Sequence, residues 1–212
     1  MSNFNFDTVK DFDNHISNSI TGYDILHSLI INISSFFIKE NTIPIDLGCT
    51  SGKLINTIET QYNCKCIGYD ITDAQFIKGL DLRKKDISNY DFKIPETNLI
   101  FSIFTNKFID YSKRIDILKK VYNSLYKNGA FIFCEKEICN NGIIQEVFTF
   151  SNYQNKRKNF SSDEILNKEV DLRKLMNSLE SSENIELLKK AGLKTIEPFF
   201  QSLNFKGYLC KK

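Results

Sequence analysis

The 212-residue chain carries 28 Lys and Arg against 26 Asp and Glu, a formal net charge of +2, with two His, six Cys and no Trp. So small a net charge supplies no strong field for recruiting nucleic acid or an anionic membrane. The apolar run from Ile25 to Ile38 is interrupted by His27, Ser28, Asn32 and two serines, short of the roughly 20 apolar residues that span a bilayer.

The length suits one domain with a sizeable core, expected over residues 1–212 with an N-terminal helical segment over 1–40. Asp7, Asp11 and Asp13 near the start do not match the charged-then-apolar pattern of a leader, so the cytoplasm is the expected location. From Tyr23 to Lys39 apolar residues recur at helical spacing (Leu26, Leu29, Ile30, Ile33, Phe36, Phe37) and predict an amphipathic helix. Ile43 to Leu47 predicts a strand that Pro44 opens, since proline has no amide hydrogen for a ladder. Leu54, Ile55 and Ile58 form one face of the next helix. Lys65 to Tyr69 and Asn98 to Phe104 read as strands, and Ile115, Leu118, Val121, Tyr122 and Leu125 as a helical stripe stopped at Asn128-Gly129.

Ala130 to Cys134 is the next expected strand. Residues from about 138 to 179 are polar, rich in Asn, Ser and Lys, and read as an inserted helical cap. The run Lys156-Arg157-Lys158 in that cap reads as a solvated face. A helix over Ser182 to Ala191, stopped by Gly192, and two closing strands near Thr195 to Phe200 and Leu203 to Cys210 complete the chain. The alternation predicts an α/β fold: a mostly parallel sheet with helices on both faces. The cysteines fit no zinc spacing, so no metal site is expected; Cys64 and Cys66 share a strand face, but no second pair follows.

Chemistry concentrates between the first strand and its helix. Asp46-Leu47-Gly48-Cys49-Thr50-Ser51-Gly52 places a glycine where backbone can approach a ligand and where free helix-start amides face polar groups. Asp70, ending the following strand, supplies a carboxylate for two ribose hydroxyls. Asp86-Ile87 adds a carboxylate for an adenine amino group and an apolar wall for the ring. Asp46-x-Gly48 favours S-adenosyl-L-methionine over a dinucleotide, because Gly48-Cys-Thr-Ser-Gly52 lacks the G-x-G-x-x-G spacing of pyrophosphate sites.

These motifs resemble those of class I S-adenosylmethionine-dependent methyltransferases. The nearest likeness is the carboxy-S-adenosylmethionine synthase family of the tRNA wobble-uridine pathway. It rests on the segment from Phe12 to Tyr23, on Asp46-Leu-Gly-Cys49, Phe104-Thr-Asn-Lys-Phe108 and Glu135-Lys136, and on Phe199-Phe-Gln-Ser-Leu-Asn-Phe205. The resemblance implies a Rossmann-like fold whose seven-stranded sheet ends in an antiparallel strand, and a homodimer formed through the cap. It also implies ligand contacts from Tyr23, Gly48, Cys49, Thr50, Asp70, Ile71, Asp86 and Ile87, with Ile103 where the family has a site-lining asparagine, and Tyr23 closing over the methionyl end.

Glu169 stands where the family carries the cap arginine that holds the extra carboxylate of carboxy-S-adenosylmethionine. An anion there repels that carboxylate unless Lys168, Arg157 or Arg173 compensates. The expected function is therefore methyl transfer from S-adenosyl-L-methionine to a small-molecule acceptor, with no stable nucleic-acid or membrane partner. Carboxy-S-adenosylmethionine synthesis from prephenate is the alternative, and a degenerate binding or scaffold subunit a third reading. Methyl transfer needs alignment above all, and no dedicated nucleophile is visible. Glu135, after the fifth strand, and Tyr23 are the candidate catalytic residues. His15 and His27 read as structural or surface groups, and Tyr153 and Phe160 as aromatics near the substrate entrance. Thr72 to Leu80 is too short for the family's helix, so a more open adenine pocket is expected.

Overall fold

The computed structural model describes residues 12–212; Asp7, Asp11 and the start of the N-terminal segment lie outside the described residues. Helices α1 (Phe12–Ser19) and α2 (Tyr23–Ser34) precede β1 (Ile45–Leu47), α3 (Lys53–Tyr62), β2 (Ile67–Asp70), β3 (Leu82–Lys84) and β4 (Thr97–Ile103). Then follow α4 (Tyr111–Ser124), β5 (Leu125–Lys136), the cap helices α5 (Gly142–Lys156) and α6 (Ser162–Arg173), α7 (Ser181–Ala191), β6 (Thr195–Ser202) and β7 (Phe205–Lys211). No helix among the described residues is long and apolar enough to cross a membrane.

The strands form one sheet in the order β3-β2-β1-β4-β5-β7-β6. Pairings from β3 to β5 are parallel, and β7 runs antiparallel to both β5 and β6. Alternation along the central strands explains why helices cover both faces. Leu99 and Phe101 of β4 and Ala130, Ile132 and Cys134 of β5 pack with Leu26, Ile30, Leu54, Ile55 and Ile58. Ile100, Phe131 and Phe133 face the other way, onto Leu118, Val121, Leu187 and Leu188. This is the expected doubly wound α/β architecture with its antiparallel closing strand.

Local boundaries differ from the sequence reading for identifiable reasons. Helix α2 stops at Ser34, whose hydroxyl donates back to the Ile30 carbonyl at 2.7 Å, and Phe36 beyond it is exposed. Helix α4 ends at Ser124, ahead of Asn128-Gly129, because Leu125 already pairs with Thr97 as the start of β5. Asn128 takes its left-handed conformation (φ 68°) inside that strand. Strand β3 has no apolar period to reveal it: it is three residues long, and only Leu82 is apolar.

No helix forms between Asp70 and β3; the chain turns there, and the Ile77 amide donates to the Ser51 carbonyl at 3.0 Å. The cap departs from the sheet after β5 and returns at a parallel bridge between Ile138 and Glu180. Asn141 caps α5 by accepting from the Ile144 amide, and Ser161 with Glu164 forms a reciprocal capping box on α6.

Candidate functional site

A cavity of about 410 Å³ opens at the carboxyl ends of β1, β2, β4 and β5, where strand order reverses between β1 and β4. That is the place where open α/β sheets bind ligands. Tyr23, Asp46, Gly48, Cys49, Thr50, Asp70, Ile71, Asp86, Ile87 and Ile103 all line it. Ile71 sits at the mouth, 64% exposed, whereas Ile87 is buried.

The first turn is shaped by close approach. Gly48 has φ 86°, and a Cβ there would stand 2.1 Å from Thr105 Oγ1, so only glycine lets the loop lie against β4's end. The Gly48 and Cys49 amides both donate to the Tyr69 carbonyl, at 2.7 and 3.1 Å. The Thr50 amide donates to Asp70 Oδ2 at 2.8 Å and the Thr72 amide to Oδ1 at 3.1 Å. Each carboxylate oxygen retains a second lone pair, so these bonds orient Asp70 and leave it acceptor capacity for a diol. Asp86 is fixed similarly, Oδ1 accepting from the Ser88 amide at 2.8 Å.

Asp46 is buried beneath this loop, and its Oδ1 has no hydrogen-bond partner. Burial, with a smaller contribution from the Asp70 charge, pushes its carboxyl up to about 8. An acceptor in that state is completed by a donor from a ligand.

Helix α1 forms the wall opposite the sheet through Phe12, Asp13, His15, Ile16 and Ser19. Tyr23 is buried, and burial raises its hydroxyl above the usual phenol range. Its ring stacks at 4.5 Å on His27. Both histidines line the cavity, correcting their reading as structural or surface groups. Burial lowers His15 to about 4, helped by Lys168 and Lys156, and lowers His27 to about 4, helped by Lys53. Both are neutral at pH 7.

The cap supplies the remaining wall, and it is basic. Lys136 at the end of β5, Lys156 at the end of α5, and Lys168 with Glu169 on α6 all face the cavity. Lys156 Nζ donates to Glu169 Oε1 at 2.9 Å, and Lys136 Nζ stands 3.8 Å from Oε2. Lys168 Nζ contacts His15 Nε2. Burial, then Lys156, lowers Lys168 to about 8.

Of the three cations expected to compensate for Glu169, only Lys168 lines the cavity; Arg157 and Arg173 do not. Lys156 is only 8% exposed, so the basic run is solvated at Arg157 and Lys158 but turned inward at its first residue. Lys136 and Lys156 went unnoticed in the sequence, where nothing local marks which lysine of a run points inward. Tyr153 and Phe160 do not line the cavity either; Phe160 packs at 5.0 Å against His15.

Glu135 requires a correction. Its neighbour Lys136 faces the cavity, whereas Glu135 points to the other side of β5 and accepts from the Asn106 amide at 2.8 Å. Burial raises its carboxyl to about 7 against the pull of Lys107. It holds the turn at Asn106–Phe108 and is not placed to take a proton from a ligand. Lys107, in that turn, does line the cavity and donates to the Phe104 carbonyl at 2.8 Å.

Comparison with known proteins places the chain. It is 30% identical to the carboxy-S-adenosyl-L-methionine synthase of Campylobacter hominis over 224 residues, covering 99% of this chain and 94% of the relative. The chain belongs to the carboxy-S-adenosyl-L-methionine synthase family. The synthase of Staphylococcus epidermidis is 29% identical over 218 residues, with 97% and 94% covered. No family model matches the chain.

Among solved structures it resembles human N-acetylserotonin methyltransferase in complex with SAM (TM-score 0.56, 15% identity, 81% of this chain). It also resembles the S-adenosylmethionine-dependent methyltransferase SibL in its apo form (TM-score 0.57, 9% identity, 89% of this chain). The chain spans about half the length of those two, 47% and 55%, so the likeness is one of fold: the Rossmann-like class I fold shared with the synthase family.

Proposed function

We propose that the cavity binds S-adenosyl-L-methionine and that the chain is an enzyme converting it to carboxy-S-adenosyl-L-methionine, the product named for its relatives. The carrying observation is the polarity of the cavity. Asp46, Asp70 and Asp86 belong to the sheet side, whereas Lys136, Lys156 and Lys168 belong to the cap side. The acidic half fits the donor groups and positive charge of an adenosyl sulfonium, and the basic half fits a carboxylate.

The residues present fit that ligand on their own chemistry. Asp70 and Asp86 retain acceptor capacity, Ile87 offers an apolar wall, and Asp46 Oδ1 is a buried acceptor without a donor. The volume lies in the range of small-molecule sites. When bound, S-adenosyl-L-methionine supplies an activated methyl group on a cationic sulfur. The chain's own residues hold and orient. The glycine loop sets the approach, Asp70 fixes the sugar, and Tyr23 with α1 covers the reacting end and excludes water.

In balance, one methyl C–H bond is exchanged for a C–C bond. A small donor acid loses its carboxyl group and keeps the electron pair, which the released proton neutralises. Methyl transfer to a small acceptor would use the same sheet-side half. The basic cap favours the carboxylated ligand, because Lys136, Lys156 and Lys168 supply the cations that Glu169 does not. A small molecule, not a nucleic acid, is the proposed partner in the site. The cap is the proposed homodimer face.

The testing experiment is mass spectrometry of the small molecule released on denaturing freshly purified protein. Carboxy-S-adenosyl-L-methionine is expected. Release of S-adenosyl-L-methionine alone, with no carboxylated product after incubation with prephenate, would return the chain to ordinary methyl transfer. No release and no heat on titrating S-adenosyl-L-methionine would make it a degenerate subunit.

A further inference from the structure

Glu169 has an atom that its partners leave unsatisfied. Among the described residues three buried polar side-chain atoms lack a hydrogen bond, and one is Glu169 Oε2. The residue is 4% exposed and lines the cavity. Lys156 occupies Oε1, Lys136 stands too far from Oε2 to donate, and Tyr153 and Arg173 approach the carboxylate from outside the cavity lining.

Burial alone would drive this carboxyl up, yet Lys136, Lys156 and Arg173 together hold it below the usual range. It is an anion at neutral pH, with one oxygen lacking the donor that a buried carboxylate oxygen ordinarily has. Beside it are two ammonium groups, Lys136 and Lys156, with Lys168 on the same wall. Two cations flanking one anion attract a carboxylate. The anion between them repels that carboxylate unless the ligand also brings a hydrogen to Oε2.

We propose that Glu169, between Lys136 and Lys156, is a specificity-determining residue. The cap half of the cavity takes a small carboxylic acid that carries an O–H or N–H donor beside its carboxylate, and rejects plain carboxylates. The lysines receive the carboxylate and Oε2 receives the donor. A wall of lysines alone would take any anion of the right size; the glutamate converts attraction into a choice. This rests on the reading of the cavity as a nucleoside site only in naming the acid as a second ligand. The same chemistry could come from the amino-acid end of the nucleoside ligand itself, and the two sources are separable.

The test is calorimetric titration of matched acids, malate against succinate and lactate against propionate. Each titration uses full-length protein alone, saturated with S-adenosyl-L-methionine, and saturated with methylthioadenosine, which has no amino-acid end. The hydroxylated member is expected to bind about tenfold or more tightly, since an unmatched buried charged acceptor costs roughly that factor. In Glu169→Gln the plain acid gains and the ratio falls to near unity. Glu169→Asp keeps the charge but withdraws the oxygen, and loses the discrimination too, so the result does not depend on one variant folding well.

Equal affinities in the unaltered protein, or no acid binding, overturn the proposal. Acid binding blocked by S-adenosyl-L-methionine but not by methylthioadenosine assigns the wall to the nucleoside's own amino acid, overturning a second-acid site. If neither nucleoside binds, the nucleoside reading fails, while titration of the protein alone still reports on Glu169.

Discussion

Ser51 Oγ donates to Asp13 Oδ2 at 2.7 Å, tying the N-terminal helix to the glycine loop across the mouth of the cavity. Ser51 is buried, its hydroxyl also accepts from the Lys53 amide at 3.2 Å, and both residues line the cavity. Helix α1 itself contains no fully buried residue. Its seat therefore depends on polar side-chain contacts such as this one and that of His15 with Lys168. Ser51→Ala is expected to loosen α1 and weaken S-adenosyl-L-methionine binding by about three- to tenfold, the worth of one hydrogen bond to a charged group partly replaced by water. Thermal stability should hardly change. Calorimetry and the rate of proteolysis within α1, with and without ligand, check it; unchanged proteolysis would detach α1 from ligand retention.

Gly48 faces a harder constraint. Its φ of 86° penalises any side chain, and a Cβ would meet Thr105 Oγ1, Cγ2 and Cβ at 2.1, 2.5 and 2.8 Å. Gly48→Ala is expected to cost about 2–4 kcal/mol in chemical denaturation, combining left-handed strain with overpacking. Adding Thr105→Gly should recover the packing part only. Full recovery would mean that the backbone conformation contributes nothing.

The sheet-side half of the site was legible in the sequence because each residue there is fixed by its own strand. Asp46 and Gly48 end β1, Asp70 ends β2, and Asp86 follows β3, so strand punctuation alone brings them to one edge. The cap half was not legible. Lys136, Lys156 and Lys168 come from three elements, and their convergence depends on how α5 and α6 dock. Charge runs mark surface, and Lys156 opens such a run while its neighbours remain exposed. Glu135 and Lys136 show the limit of strand-end reasoning. Both follow the same β-ladder, but the pleat sends only Lys136 to the ligand side.

The outer face of the cap bears on assembly. Ile143, Val147 and Phe150 recur at helical spacing along α5 and are 73%, 51% and 62% exposed, and Leu166 and Val170 repeat the pattern on α6. Apolar rows of this kind mark interaction faces. If the proposed homodimer forms through the cap, Val147→Lys with Phe150→Lys is expected to give a monomer that keeps its fold. Sedimentation velocity checks it. A double variant that remains dimeric would move the interface away from α5.

The raised carboxyl of Asp46 gives a pH dependence with a definite sign. Its pKa rises from 3.8 to about 8 on folding, from burial first and the Asp70 charge second. Between those values the folded chain binds a proton that the unfolded chain has released. Stability therefore falls as pH rises from about 4 to 8 and levels off above that. Asp46→Asn removes the titration, so its stability should exceed that of the unaltered protein most clearly at pH 8, by a few kcal/mol at most. A ligand donor reaching Oδ1 favours the charged form. Binding S-adenosyl-L-methionine at pH 7 is therefore expected to release close to one proton. Calorimetry in buffers of different ionisation enthalpy measures that proton directly. Its absence in the unaltered protein, or its persistence in Asp46→Asn, would show that Asp46 does not meet the ligand.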